Sequence, residues 1–128
     1  MSEIIKRLSF DKEFGILTKQ ALEIKLEKLD KFDSCFIDFN NLKKLNNLMG
    51  YNKVNKIIFN IFQDFKDYGC VVGRWFSGDE ILIVGSDIKG KISILKDISY
   101  KNNMSFKEFY FIKNNFKTIG GKIGRLKQ

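Results

Sequence analysis

The sequence predicts an α+β domain, a small sheet with helices packed mainly on its faces. Three observations predict it. Apolar residues recur at helical spacing, most clearly in the stripe Val54, Ile57, Ile58, Ile61, Phe62 and Phe65. Short apolar runs rich in Phe, Ile and Val lie between the helical stretches, as strands do. Two of those runs, "CVVGRWF" (70–76) and "ILIVG" (81–85), are separated only by Ser77, Gly78, Asp79 and Glu80, which requires a tight hairpin.

The elements follow in order. In "GILTKQALEIKLEKLDKFDS", Thr18 is placed to N-cap a helix that turns Leu22, Ile24, Leu26 and Leu29 mostly inward. "SCFIDF" (34–39) reads as a short buried strand. Helical pattern resumes near Leu42, breaks at Gly50, and runs on from about Tyr51 to Tyr68. The hairpin comes next. "DIKGKISILKDISYKNN" then reads as a helix, capped by Ser86 or Asp87 and weakened by Gly90. "FKEFYFI" (106–112) is a further strand, and the tail "NNFKTIGGKIGRLKQ" is basic and Gly-rich, with a short helix. The order α-β-α-α-β-β-α-β contains the ferredoxin-like β-α-β-β-α-β pattern. It predicts a two-layer arrangement with an antiparallel or mixed sheet of about four or five strands.

The 128 residues, 44% apolar with 13 Phe and no Pro, fit one ordered domain spanning 1–128. That length buries a core without disulfides or metals. Cys35 and Cys70 both sit in apolar runs and read as reduced core thiols. With no His in the chain, a histidine metal site and a histidine general base are excluded. The net charge of +8 favours anionic partners such as nucleotides. The N-terminus "MSEIIKRLSF" has no apolar signal core, and no apolar stretch is long enough to span a membrane, so a cytoplasmic protein is expected.

The acids carry the chemistry. Asp38 lies in "FIDF", where a buried carboxylate costs several kcal/mol, roughly, unless it is paired. Phe36 and Asp38 share one face of that strand, and Ile37 and Phe39 the other. In this topology the strand lies beside the hairpin, so Asp38 can meet Asp79 and Glu80. Three such carboxylates repel one another unless a cation joins them. Oxygen donors alone point to Mg²⁺ or Mn²⁺, which takes substrate phosphates as further ligands. Gly78 permits close approach of backbone to a nucleotide. Lys43 and Lys44 stand near a helix start, where N–H and ammonium groups hold phosphate oxygens.

"FGILTKQAL", "FIDFNNLKKLNNLMGYNKVNKII" and "RWFSGDEILIV" resemble, in that order, segments of the GGDEF-type nucleotide cyclases. The palm domains of CRISPR polymerases are close relatives, and the short stand-alone minimal CRISPR polymerases are the most similar in length. The resemblance spans about residues 11 to 125. It implies a metal-dependent nucleotidyltransferase that joins two nucleoside triphosphates into a cyclic dinucleotide, and for the minimal polymerases a signal in antiviral defence. Asp38, Phe39 and Asp79 would hold Mg²⁺ or Mn²⁺, and Glu80 would assist as a ligand or in activating the attacking hydroxyl. Phe39, Asn41, Leu42 and Lys43 would contact the triphosphate, and Asn46 and Asn55 the base. Ser77 and Gly78 would line the nucleotide, and Lys122 and Arg125 would grip phosphates. Each domain would supply half a site, so a homodimer is implied, with nucleic acid not the expected partner.

Three departures stand out. The hairpin carries Ser77 and Ile81 where the family has Gly and Phe. Position 55 is Asn where guanine-specific members carry Asp, and an amide both donates and accepts, which favours ATP over GTP. No Arg-x-x-Asp lies just upstream of the hairpin, so the family's usual product-inhibition site is not expected. Two other readings compete: a degenerate nucleotide-binding module, and a basic ferredoxin-like domain that binds RNA through exposed aromatics on its strands.

Overall fold

The computed structural model describes residues 10–75 and 80–126. Helix α1 (Lys19–Glu27) leads into strand β1 (Phe32–Phe39). Helices α2 (Leu42–Met49) and α3 (Tyr51–Phe65) follow, with a 3₁₀ turn at Lys66–Tyr68. Strands β2 (Val71–Arg74) and β3 (Glu80–Val84) form the hairpin. Helix α4 (Ile88–Lys101), strand β4 (Phe106–Asn114) and helix α5 (Phe116–Leu126) complete the order. The strands form one antiparallel sheet in the order β2-β3-β1-β4. This is the ferredoxin-like arrangement, and it puts β1 between β3 and β4.

Strand alternation sorts the core into two clusters. Cys35, Ile37, Phe39, Ile81 and Ile83 face α3 and α4, where Val54, Ile58, Ile61, Phe62, Ile92 and Leu95 meet them. Phe36, Leu82 and Val84 face the other way, onto Leu22 and Leu26 of α1 and Ile119 and Ile123 of α5. Helices therefore cover both faces, and the expected two-layer arrangement is corrected. The tail segment supplies the difference: it is an 11-residue helix whose Ile119 and Ile123 seal the second face together with α1.

Other boundaries shift for local reasons. Thr18 caps α1 as expected, its hydroxyl accepting from the Ala21 N–H at 3.3 Å. The helix ends at Glu27, however, and only Leu22 and Leu26 are buried on it; Ile24 and Leu29 are exposed. Four residues apart is one face of a helix, and Ile24 lies off that face. Asp87 occupies the cap position of α4 in a left-handed conformation, and its side chain makes no capping bond. Cys35 is buried and Cys70 half-buried, both as free thiols. Burial pushes the Cys35 thiol up to about 12.

Helix α1 comes close to the sheet at a residue without a side chain. A Cβ at Gly73 would lie 2.8 Å from Leu22 Cβ. Both atoms sit in packed backbone-near positions and cannot swing away. Gly73→Ala is expected to destabilise the fold by about 1–3 kcal/mol through overpacking. A fall in the denaturant midpoint at unchanged slope is the expected readout, and an unchanged midpoint would contradict this packing.

Candidate active site

Register places the first pair of acids. Asp38 stands directly opposite Glu80 on β3 and opposite Lys107 on β4. Cross-strand partners share a face, with Cβ atoms roughly 4.5–5.5 Å apart. Glu80, Asp38 and Lys107 thus form a row at one rim of the sheet, one row beyond Leu82, Phe36 and Phe109. The helical cover of α1 and α5 ends before this row, since Asp38 and Lys107 are exposed and Glu80 is half-buried. The expectation of a buried Asp38 is corrected accordingly. Its carboxylate is in water, and like charges so placed need no buried partner. Asp38 takes part in no ion pair among the described residues.

Asp79, Ser77 and Gly78 lie outside the described residues. On either side of them, the Trp75 N–H donates to the Glu80 carbonyl at 2.8 Å. Among the described residues, no group of three or more acids or thiols gathers to hold a metal. Phe39 directs its ring inward, edge-on to Phe62 and Phe106. Only its main-chain groups are left to act as ligands.

The chain then turns sharply. Asn40 is tied to Ser105 through main chain at 2.9 Å and through its side chain at 3.0 Å. Asn41 adopts a left-handed conformation with φ of 60° and makes no side-chain cap on α2. The N–H groups of the first turn of α2, at Leu42 and Lys43, therefore have no side-chain cap from that residue. Leu42 buries its side chain, while Lys43 and Lys44 are exposed on the same turn.

Asn46 and Asn55 are brought together. With Tyr51, Leu42 and Val54 they line a cavity of about 310 Å³, whose far wall is Glu13, Phe14 and Arg74. The amide oxygen Oδ1 of Asn46 is buried and has no hydrogen-bond partner among the described residues. Lys122 and Arg125 lie exposed on α5, three residues apart on a helix that covers the same sheet face as the Asp38 row.

Sequence reasoning missed two contributors, both from the segment before α1. Phe10 and Leu17 pair as a small bridge, and Leu17 continues onto Gly73 at the β2 edge. This places Asp11, Glu13 and Phe14 against the end of β2. Asp11 bonds Arg74 Nη1 at 2.7 Å, and the guanidinium lies over the Phe14 ring at 4.1 Å. Glu13 bonds Asn55, Oε2 accepting from Nδ2 at 2.8 Å. The signal available in sequence was only an acidic turn, "FDKEFG", and its partners lie 63 and 42 residues away. Of the strand aromatics that could form an RNA platform, Phe36 is buried, and Phe109 and Phe111 are half-buried against the cluster that α5 covers.

No protein-family profile matches the chain, and no curated protein matches it. Solved structures do. A microbial GGDEF domain whose structure concerns its interaction with bis-(3′,5′)-cyclic di-GMP superposes with a TM-score of 0.75 at 15% identity, over 90% of this chain and 85% of that one. The diguanylate cyclase SiaD of Pseudomonas aeruginosa, in complex with its activator SiaC, superposes with a TM-score of 0.72 at 12% identity; 92% of this chain covers 56% of that one. The coiled coil and GGDEF domain of DgcB from Caulobacter crescentus, in complex with c-di-GMP, gives a TM-score of 0.68 at 9% identity, over 84% of this chain and 71% of that one. This chain therefore spans little more than half of SiaD. The likeness establishes a GGDEF-type fold.

Proposed function

We propose that this domain is a metal-dependent nucleotidyltransferase that joins two nucleoside triphosphates, ATP ahead of GTP, into a cyclic dinucleotide. The observation that carries the reading is the register of Asp38 against Glu80, the residue that follows Asp79 in sequence, at the rim of a GGDEF-type fold. The donor set is all oxygen, and the Asp38 carboxylate is exposed at the rim. These residues fit a hard cation. Asp38, Asp79 and the main chain of Phe39 would hold Mg²⁺ or Mn²⁺, which draws charge off the phosphates and lowers the pKa of the attacking hydroxyl.

The chain's own groups do the rest. The first turn of α2 and Lys43 receive the triphosphate, using main-chain N–H groups, an ammonium group and the positive end of a helix. Lys122 and Arg125 hold phosphate oxygens from the α5 side, and Ser77 and Gly78 line the nucleotide. A ribose hydroxyl of one nucleotide attacks the α-phosphorus of the other. The new O–P bond forms as the bond to the β-phosphate oxygen breaks, and pyrophosphate leaves. Glu80 takes up or relays the hydroxyl proton. Repeating the step in the opposite sense closes the ring, so two domains face each other across the substrates as a homodimer. The resemblance to minimal CRISPR polymerases supports a cytoplasmic role in antiviral signalling.

Incubation with each triphosphate and Mg²⁺ or Mn²⁺, followed by mass spectrometry of the products, tests this directly. A cyclic dinucleotide is the expected product. Binding without turnover would leave a degenerate nucleotide-binding module, and oligonucleotide binding without triphosphate affinity would end the nucleotide reading. Asn55 is the base-reading residue in this scheme. Asn55→Asp, made in a Glu13→Gln background so that no second carboxylate faces it and compared with Glu13→Gln alone, is expected to move preference towards guanine, because a carboxylate accepts from both N1–H and N2–H₂. Competition between the two triphosphates measures it, and an unchanged preference would remove Asn55 from base recognition.

A further inference from the structure

The amide of Asn55 is not free to turn over. Its Nδ2 donates to Glu13 Oε2 at 2.8 Å. An ionised carboxylate only accepts, so this bond decides which end of the amide faces Glu13. The amide oxygen and the second N–H are left for the cavity. Glu13 is itself held in place. Its main-chain N–H donates to Asp11 Oδ1 at 2.9 Å, and its other carboxylate oxygen lies 3.5 Å from Arg74 Nη1. Arg74 is anchored in turn by Asp11 at 2.7 Å. Asp11, Arg74 and Glu13 thus form a brace from the end of β2 to the Asn55 side chain.

The orientation of that amide matters for purines. Along the pairing edge, adenine presents a donor at C6 and an acceptor at N1. Guanine presents an acceptor at C6 and a donor at N1. The two orders are opposite. An amide held one way round matches only one purine in a given seat, whereas a free amide matches either by turning over. Asn46 lines the same cavity beside Asn55.

Resting on the reading above, in which Asn55 contacts the base, we infer that Glu13 is the positioning residue that makes Asn55 discriminate between purines. It touches no reacting atom. It acts by holding the amide, and its side chain, at 57% exposure, contributes little to the core.

The test is equilibrium binding of the α,β-methylene analogues of ATP and GTP, which cannot release pyrophosphate, to the full chain and to Glu13→Gln and Glu13→Ala. Glutamine keeps the shape but can itself turn over, so it no longer fixes the amide. The wild type is expected to prefer the adenine analogue. In both variants the ratio of affinities should fall by about five- to tenfold, the worth of one hydrogen bond, mainly through gained affinity for the guanine analogue. Circular dichroism should show both variants folded. A ratio unchanged in both variants overturns the inference, as does an equal loss of both analogues. A wild type that binds both purines alike overturns it too, while leaving the nucleotide reading intact. A wild type that prefers guanine, with the ratio still falling in the variants, supports the brace and removes the ATP preference. If the wild type binds neither analogue, the proposed function fails and the inference with it.

Discussion

Asp79→Ala is expected to abolish cyclic dinucleotide synthesis while leaving the domain folded, and Asp38→Asn should do the same. Each removes one negative charge from the proposed metal-binding set. Losing several kcal/mol of transition-state stabilisation corresponds to a roughly thousandfold lower rate. The fold should hardly notice the loss of Asp38, whose side chain is exposed and in no ion pair among the described residues. Its stability should stay within about 0.5 kcal/mol of the wild type, as for other surface positions. Product mass spectrometry paired with a thermal melt separates the two effects. Full activity in either variant would remove the metal assignment. Loss of activity together with loss of folding in Asp38→Asn would contradict the exposed rim position.

Arg74→Ala is expected to have the largest effect on stability among charged positions. The Arg74 and Asp11 side chains are only 13% and 18% exposed, and their contact is 2.7 Å. The guanidinium also lies over the Phe14 ring. Removing it leaves the Asp11 carboxylate largely enclosed without that partner, which costs about 3 kcal/mol by comparison with other broken buried pairs. Out of a total of roughly 5–15 kcal/mol for a domain, this is a large share. Arg74→Lys should recover only part of it, because an ammonium has neither the planar fork nor the flat face that stacks on Phe14. Chemical denaturation of the three proteins would show the order. Equal stability for all three would mean that the segment before α1 is held by its main-chain bonds to β2 alone. Because Arg74 also braces Glu13, the alanine variant should in addition blunt base discrimination.

Much of this could be read from local pattern. The stripe from Val54 to Phe65, the alternation in "FIDF" and the short gap at Ser77–Glu80 are all written within windows of a few residues. They specify a helix, a strand and a hairpin, and so the neighbourhood of β1 and β3. Cys35 as a core thiol is equally local, since its neighbours Phe36 and Ile37 declare a buried strand. Position 38 was harder. A carboxylate between Ile37 and Phe39 looks enclosed in sequence, but its burial depends on where α1 and α5 stop covering the sheet. The tail was harder still: "KTIGGKIGRLK" carries three Gly, each unfavourable inside a helix, and it becomes a helix because Ile119 and Ile123 have a sheet face to pack upon.

The sequence by itself determined the order of helices and strands along the chain, the alternation within β1 and the acids at the hairpin, because periodicity and turn chemistry act between near neighbours. Only the tertiary structure decided that Asp38 is exposed beside Glu80 and Lys107, that both sheet faces are covered, and that Asp11 and Glu13 reach Arg74 and Asn55. Those contacts join segments 63 and 42 residues apart. No short-range pattern encodes such pairs, since they exist only once packed helices and strands bring distant charges into hydrogen-bonding range.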